Sequence, residues 1–179
     1  MVILHKPVAG ESEQSLTRFL ARAKRAVGLR GAVTVLLTTS RELQTLNRRF
    51  RRKDTPTDVL SFPPAMRGAR PFAGDVAISA DIAARNARRL GHSTADEVRI
   101  LTLHGLLHLA GYNHESDDGQ MARREQLLRK KLRLPVALIE RSGMDADSNP
   151  RKHPATRRAC TRPATRPSRT RSSSRRGPR

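Results

Sequence analysis

The chain has 179 residues, enough for one domain whose apolar core folds without cross-links. Its formal charge is +20, from 36 Lys and Arg against 16 Asp and Glu, so an acidic partner is expected; no run of about 18 apolar residues offers a membrane-spanning helix, which leaves nucleic acid ahead of membrane. The one cysteine, Cys160, excludes an internal disulfide, and the apolar stretch within Met1–Pro7 is too short for a secretory core; both fit a cytoplasmic protein.

Val2–His5 reads as a short strand. Ser12–Val27 reads as a helix, with Leu16, Phe19, Leu20, Ala23 and Val27 at helical spacing and Gly28 as its stop. Val33, Val35 and Leu37 alternate through Ala32–Thr38, a strand pattern. Thr39, with Glu42 three residues on, opens a capping-box helix expected to carry Leu43, Leu46 and Phe50 inward. A charged turn, Arg51–Pro56, leads to a strand over Thr57–Phe62 that Pro63 and Pro64 end. Met66–Ala73 reads as a loop, and Gly74–Ser79 as a strand placed to pair with Thr57–Phe62 in a hairpin. Ser79 caps a helix that reaches Leu90 and stops at Gly91; Ser93, with Asp96 at its third position, caps the next, to about Ala110. A last helix spans Asp117–Lys131, ahead of Pro135. The order β-α-β-α-β-β-α-α-α implies an α+β fold, a small mixed sheet of about four strands packed with about five helices.

From Gly143 onward no apolar periodicity remains. Residues 150–179 hold eleven Lys or Arg and no Asp or Glu, which leaves 25 basic and 16 acidic residues before them. Such a segment buries too little apolar surface to offset its ordering entropy. The expected division is therefore a folded domain over 1–142 and a disordered basic tail over 143–179, the tail being either a solvated extension or an RNA-binding arm.

The informative stretch is His104-Gly105-Leu106-Leu107-His108-Leu109-Ala110-Gly111-Tyr112-Asn113-His114. Positions four apart share a helix face, so His104 and His108 can aim at one ion. Gly111 can end the helix in a left-handed turn that reverses the chain and brings His114 to a third ligand position. Three neutral imidazoles leave one position of a tetrahedral zinc open, as catalytic rather than structural sites do. One zinc per chain, at the end of a helix, is the expectation. Incidental histidines are the bland alternative, disfavoured because three of the chain's six fall in eleven residues at ligand spacing. The spacing matches the three-histidine metzincin proteases, but the glutamate that serves them as general base is replaced by Gly105, which takes no proton. Leu101, Leu106 and Leu109 read as core, and Tyr112 as either a site residue or packing against the turn. Glu97 reads as a surface salt-bridge residue in preference to an acceptor that orients a ligand.

Upstream, Arg48, Arg49, Arg51, Arg52 and Lys53 form a patch suited to phosphate oxygens, although a charge run alone reads by default as a solvated face. With the histidine motif, the block Leu46–Pro63 and Gly74–Ser79, it resembles the YbeY family of bacterial endoribonucleases, or rRNA maturation factors. The resemblance covers most of residues 1–140 and none of the tail. It implies metal-dependent cleavage of single-stranded RNA in 16S rRNA 3′-end maturation and ribosome quality control. The implied partners are RNA and the ribosome, with ribosomal or assembly-factor proteins as further contacts and no DNA or membrane. It makes His104, His108 and His114 zinc ligands and Arg51 the catalytic or phosphate-binding arginine. Arg48, Arg49, Arg52 and Lys53 are RNA-binding candidates. One departure is Asn113, where the family usually carries Asp; it keeps an acceptor oxygen and loses a charge, which puts activity rather than metal binding in question. Arg51 suits a transition state that gains negative charge, because its guanidinium is always charged and forks onto phosphate oxygens. Water and the RNA 2′-hydroxyl both stay open as nucleophile. The competing readings are a metalloprotease with a distal base and a non-catalytic rRNA-binding assembly factor.

Overall fold

Strands β1 (Val2–Leu4), β2 (Ala32–Thr38), β3 (Val59–Phe62) and β4 (Phe72–Ser79) form one sheet in the order β1-β2-β4-β3. β1, β2 and β4 run parallel, while β3 returns antiparallel on β4 with Leu60 opposite Ala77. The sheet is thus mixed and contains the expected hairpin. Successive side chains point to opposite faces of a strand. Val33, Val35 and Leu37 of β2 and Val76 and Ile78 of β4 accordingly enter one large core, and Leu60 and Ala77 a smaller one on the other face.

Helices α1 (Glu13–Val27), α2 (Ser40–Arg51), α3 (Ala80–Leu90), α4 (Thr94–Leu109) and α5 (Gln120–Leu132) complete the computed structural model, which describes residues 1–64, 72–114 and 117–135. The expected loop Met66–Ala73 lies outside these except for Phe72 and Ala73, which join β4, and the expected tail 143–179 lies wholly outside them. Among the described residues no helix is long and apolar enough to cross a membrane. α2 covers the smaller core with Leu43, whereas α4 lies in the large one, touching β3, β4, α1, α3 and α5. Its apolar residues Val98, Ile100, Leu101, Leu103, Leu106 and Leu107 are buried on every side, which a helix at the centre of a domain requires.

Local chemistry sets the helix starts. The hydroxyls of Ser12, Thr39, Ser79 and Ser93 each accept from the backbone N–H three residues on, at 3.1, 3.2, 3.2 and 3.0 Å. Three expectations need correction. α5 starts at Gln120 rather than Asp117, because the Asp117 carboxylate accepts from the N–H groups of Gly119 and Met121, both at 2.8 Å, and so caps the helix from outside it. β3 starts at Val59, where its pairing with Ile78 begins. Phe50 does not point into the core: it is 58% exposed and overhangs Phe62, with ring centroids 5.2 Å apart. The buried position on that face belongs to Asn47, whose side-chain N–H donates to the Thr55 carbonyl at 2.8 Å and ties the following loop to the helix.

Candidate metal centre

Two glycines let α4 sit close on the hairpin. A Cβ at Gly105 would stand 2.6 Å from Val76 Cγ1 and 3.1 Å from Ser61 Oγ, and one at Gly74 would stand 2.4 Å from the Phe62 carbonyl oxygen. Ser61 also donates to the Gly105 carbonyl at 3.1 Å. Position 105 thus faces the sheet. This adds to the case against proteolysis, because a side chain at that position would run into Val76 and Ser61 before it could serve as a base.

The adjoining face of α4 carries His104 and His108. Their Nε2 atoms are 3.1 Å apart and their ring centroids 4.8 Å. The helix then ends in a Schellman turn: Gly111, at φ 94°, donates to the His108 carbonyl at 3.0 Å, and Tyr112 to the Leu107 carbonyl at 3.1 Å. Tyr112 packs against the large core, so its role is to anchor this turn. The reversal delivers exposed Asn113 and His114, and the His114 ring lies 5.5 and 5.2 Å from those of His104 and His108. One ligand nitrogen from each of the three rings falls within 4.8 Å of the others. Tetrahedral zinc, with Zn–N of about 2.0–2.1 Å, sets its nitrogens about 3.3 Å apart. The His104–His108 pair already meets that spacing, and His114 stands exposed on its turn beside them.

The donor set itself calls for a cation. His104 Nδ1 lies 2.9 Å from Glu125 Oε2, so a proton shared with the carboxylate belongs on Nδ1 and the lone pair on Nε2. That lone pair faces His108 Nε2, a contact that a metal ion resolves. Burial, then neighbouring His104 and His114, hold the His108 pKa down to about 4, so near neutral pH it is an unprotonated imidazole with a lone pair to offer. The guanidinium of Arg51 adds a smaller push on His108 in the same direction.

Glu125 was not among the residues expected here. It is buried on α5, and its other oxygen pairs with Arg129, itself buried. Burial raises its pKa, but His104 and Arg129 outweigh that and bring it to about 2. A signal for it existed in the sequence: Met121, Glu125, Leu128 and Leu132 form the inward stripe of α5, and a carboxylate in an apolar stripe needs a cationic or N–H partner. Glu97, expected at the surface, is fully buried with its carboxylate 2.8 Å from His92 Nε2. Its helix faces α3 and the core there, not solvent.

Arg48, Arg49, Arg52 and Lys53 all lie exposed around the end of α2. Arg48 reaches Asp54 at 3.8 Å, and the Arg49 guanidinium lies 5.4 Å from the Phe50 ring centroid. Arg52 ends the helix with a left-handed φ of 59°, a conformation costly for a side chain bearing Cβ.

The family model for endoribonuclease YbeY matches residues 5–133. The chain is 60% identical over 142 residues to an endoribonuclease YbeY from Koribacter versatilis, covering 79% of this chain and 91% of that protein. It is 46% identical over 127 residues to one from Solibacter usitatus, covering 71% and 84%, and 48% identical over 110 residues to one from Nautilia profundicola, covering 62% and 78%. With the histidine cluster and the sheet that carries it, these matches place the chain in the endoribonuclease YbeY family.

Proposed function

We propose that this protein is a zinc-dependent, single-strand-specific endoribonuclease acting in rRNA processing, at the 3′ end of 16S rRNA, and in ribosome quality control. The observation that carries the reading is the imidazole trio gathered at the C-terminal end of α4 and the turn after it, with His104 pinned by Glu125. His104, His108 and His114 would hold the ion, which supplies Lewis acidity at the scissile phosphate. Glu125 keeps the His104 proton on Nδ1. Arg51 takes one or two phosphate oxygens and steadies the charge that builds there in the transition state. Arg48, Arg49, Arg52 and Lys53 hold the flanking phosphates, which fixes the strand without reading its sequence. The nuclease is assigned to 1–142, with the basic segment 143–179 adding general attraction to RNA.

Cleavage of single-stranded and duplex RNA, with and without chelator, tests the activity. Selective loss of the single strand, abolished by chelation, is expected; chelator-resistant cleavage would sink the metal-dependent reading. Arg51→Ala is expected to lower cleavage about 100- to 1,000-fold with zinc content unchanged. A drop in bound zinc would instead make Arg51 a structural support. A 2′,3′-cyclic phosphate end would identify the 2′-hydroxyl as nucleophile.

A further inference from the structure

Of the six residues 48–53, five are cationic and the sixth is Phe50. A lone exposed aromatic is ordinary on a protein surface. The setting of Phe50 is not. It is 58% exposed at the last turn of α2, directly before Arg51. Its ring stands at 71° to that of Phe62, with centroids 5.2 Å apart, so it is propped on the end of the hairpin rather than loose in solvent. The Arg49 guanidinium lies 5.4 Å from its centroid, a planar cation that itself stacks on bases. Phe62 ends β3, the edge strand whose neighbouring residue Ser61 touches α4 at Gly105, one position after His104. Side chains alternate across the sheet, so Phe62 points to the face that α2 covers while Ser61 meets α4 on the other; the aromatic pair stands beside the basic helix end, on the edge strand whose far face carries the helix with His104.

We infer that Phe50, braced by Phe62 and flanked by Arg49, is a stacking platform for one unpaired nucleobase of the RNA strand. The inference rests on the proposed reading of the chain as an RNA-cleaving enzyme and names the feature that selects single strands. A phosphate comb binds duplex and single strand alike, because both present the same anions. A π surface among those cations discriminates, because only an unpaired base offers its face to a side chain. Cations on either side of the ring fit nucleic acid rather than an apolar protein segment, which would leave them unpaired.

The chain has no tryptophan, so Phe50→Trp installs a single reporter at the platform. The full-length, zinc-loaded chain would be mixed with oligoadenylate and read within milliseconds, before turnover. Quenching by the single strand is expected, with none from an RNA duplex or from an abasic strand of equal phosphate count. Phe50→Leu keeps an apolar contact to Phe62 and removes the π face. It is expected to weaken single-strand binding about tenfold, to leave abasic-strand binding and zinc content unchanged, and to be rescued by Phe50→Tyr. Wild-type affinity in Phe50→Leu, or an unquenched Phe50→Trp variant that anisotropy shows to be RNA-bound, would overturn the platform while leaving the enzyme reading intact. Failure of the wild-type chain to bind either strand would remove the reading beneath it and the platform with it.

Discussion

An imidazole has two nitrogens, and at position 104 the fold gives each a separate task. Nδ1 meets Glu125 at 2.9 Å, and Nε2 is left for an ion. Glu125 is held in turn by buried Arg129, so three residues from two helices set the direction of one lone pair. Such partners of a metal-bound histidine are typically worth about 10- to 100-fold in affinity. Glu125→Gln is expected to weaken zinc binding within that range, read by competition with a chromogenic chelator. Unchanged affinity would reduce Glu125 to a core ion pair. The histidines themselves were legible in the sequence because i, i+4 spacing is a property of any helix. Glu125 was not, because its bond to His104 joins residues 21 apart through the packing of α5 on α4.

At the scale of elements, the contact between α4 and the hairpin decides where His104 and His108 stand. Gly105→Ala would press a methyl group to 2.6 Å from a buried Val76 carbon, and overpacking of this kind costs about 1–3 kcal/mol. Denaturant unfolding of the zinc-loaded chain should show that loss, together with weaker zinc binding as α4 shifts. A neutral result would mean the hairpin yields without moving the helix. Helix starts were readable because their caps are local: Ser12, Thr39, Ser79 and Ser93 each bond three residues away. The inward expectation for Phe50 failed because helical periodicity says which face a residue is on, and not where the covering sheet ends. Glu97 failed for the opposite reason: its polar identity suggested solvent, while His92, five residues earlier, gave it a buried partner.

For the whole molecule, the buried ionisable groups predict how the metal-free protein responds to acid. His108 falls from 6.5 in the unfolded chain to about 4 when folded, and Glu125 from 4.5 to about 2. In both cases the unfolded chain takes up the proton first as pH falls, so stability is lost. His108 acts between its two values and Glu125 below 4.5. The urea midpoint of the metal-free protein should therefore decline from about pH 6.5 downward, and His108→Ala should flatten the upper part of that decline. A midpoint level down to pH 4.5 would contradict the burial of His108. The tail makes a separate prediction. Residues 150–179 carry eleven cations and no acids, and binding of single-stranded RNA loses affinity with salt at a slope of about 0.7 per phosphate neutralised. Deleting 143–179 should leave zinc content intact and make RNA affinity less dependent on salt. An unchanged slope would assign the electrostatic attraction to the folded domain alone.

The sequence by itself determined the element order, the caps that start the first four helices, the α+β class and the identity of the three clustered histidines. Each of these depends on residues within a few positions of one another, where backbone geometry is nearly invariant. Tertiary structure decided the rest: that Gly105 faces Val76, that Glu125 reaches across from α5, that Glu97 is buried, and that Phe50 stands outside the core beside the basic cluster. These turn on where a sheet ends and how closely two helices approach. Such distances are fixed by the packing of side chains far apart in the chain, and no local pattern encodes them.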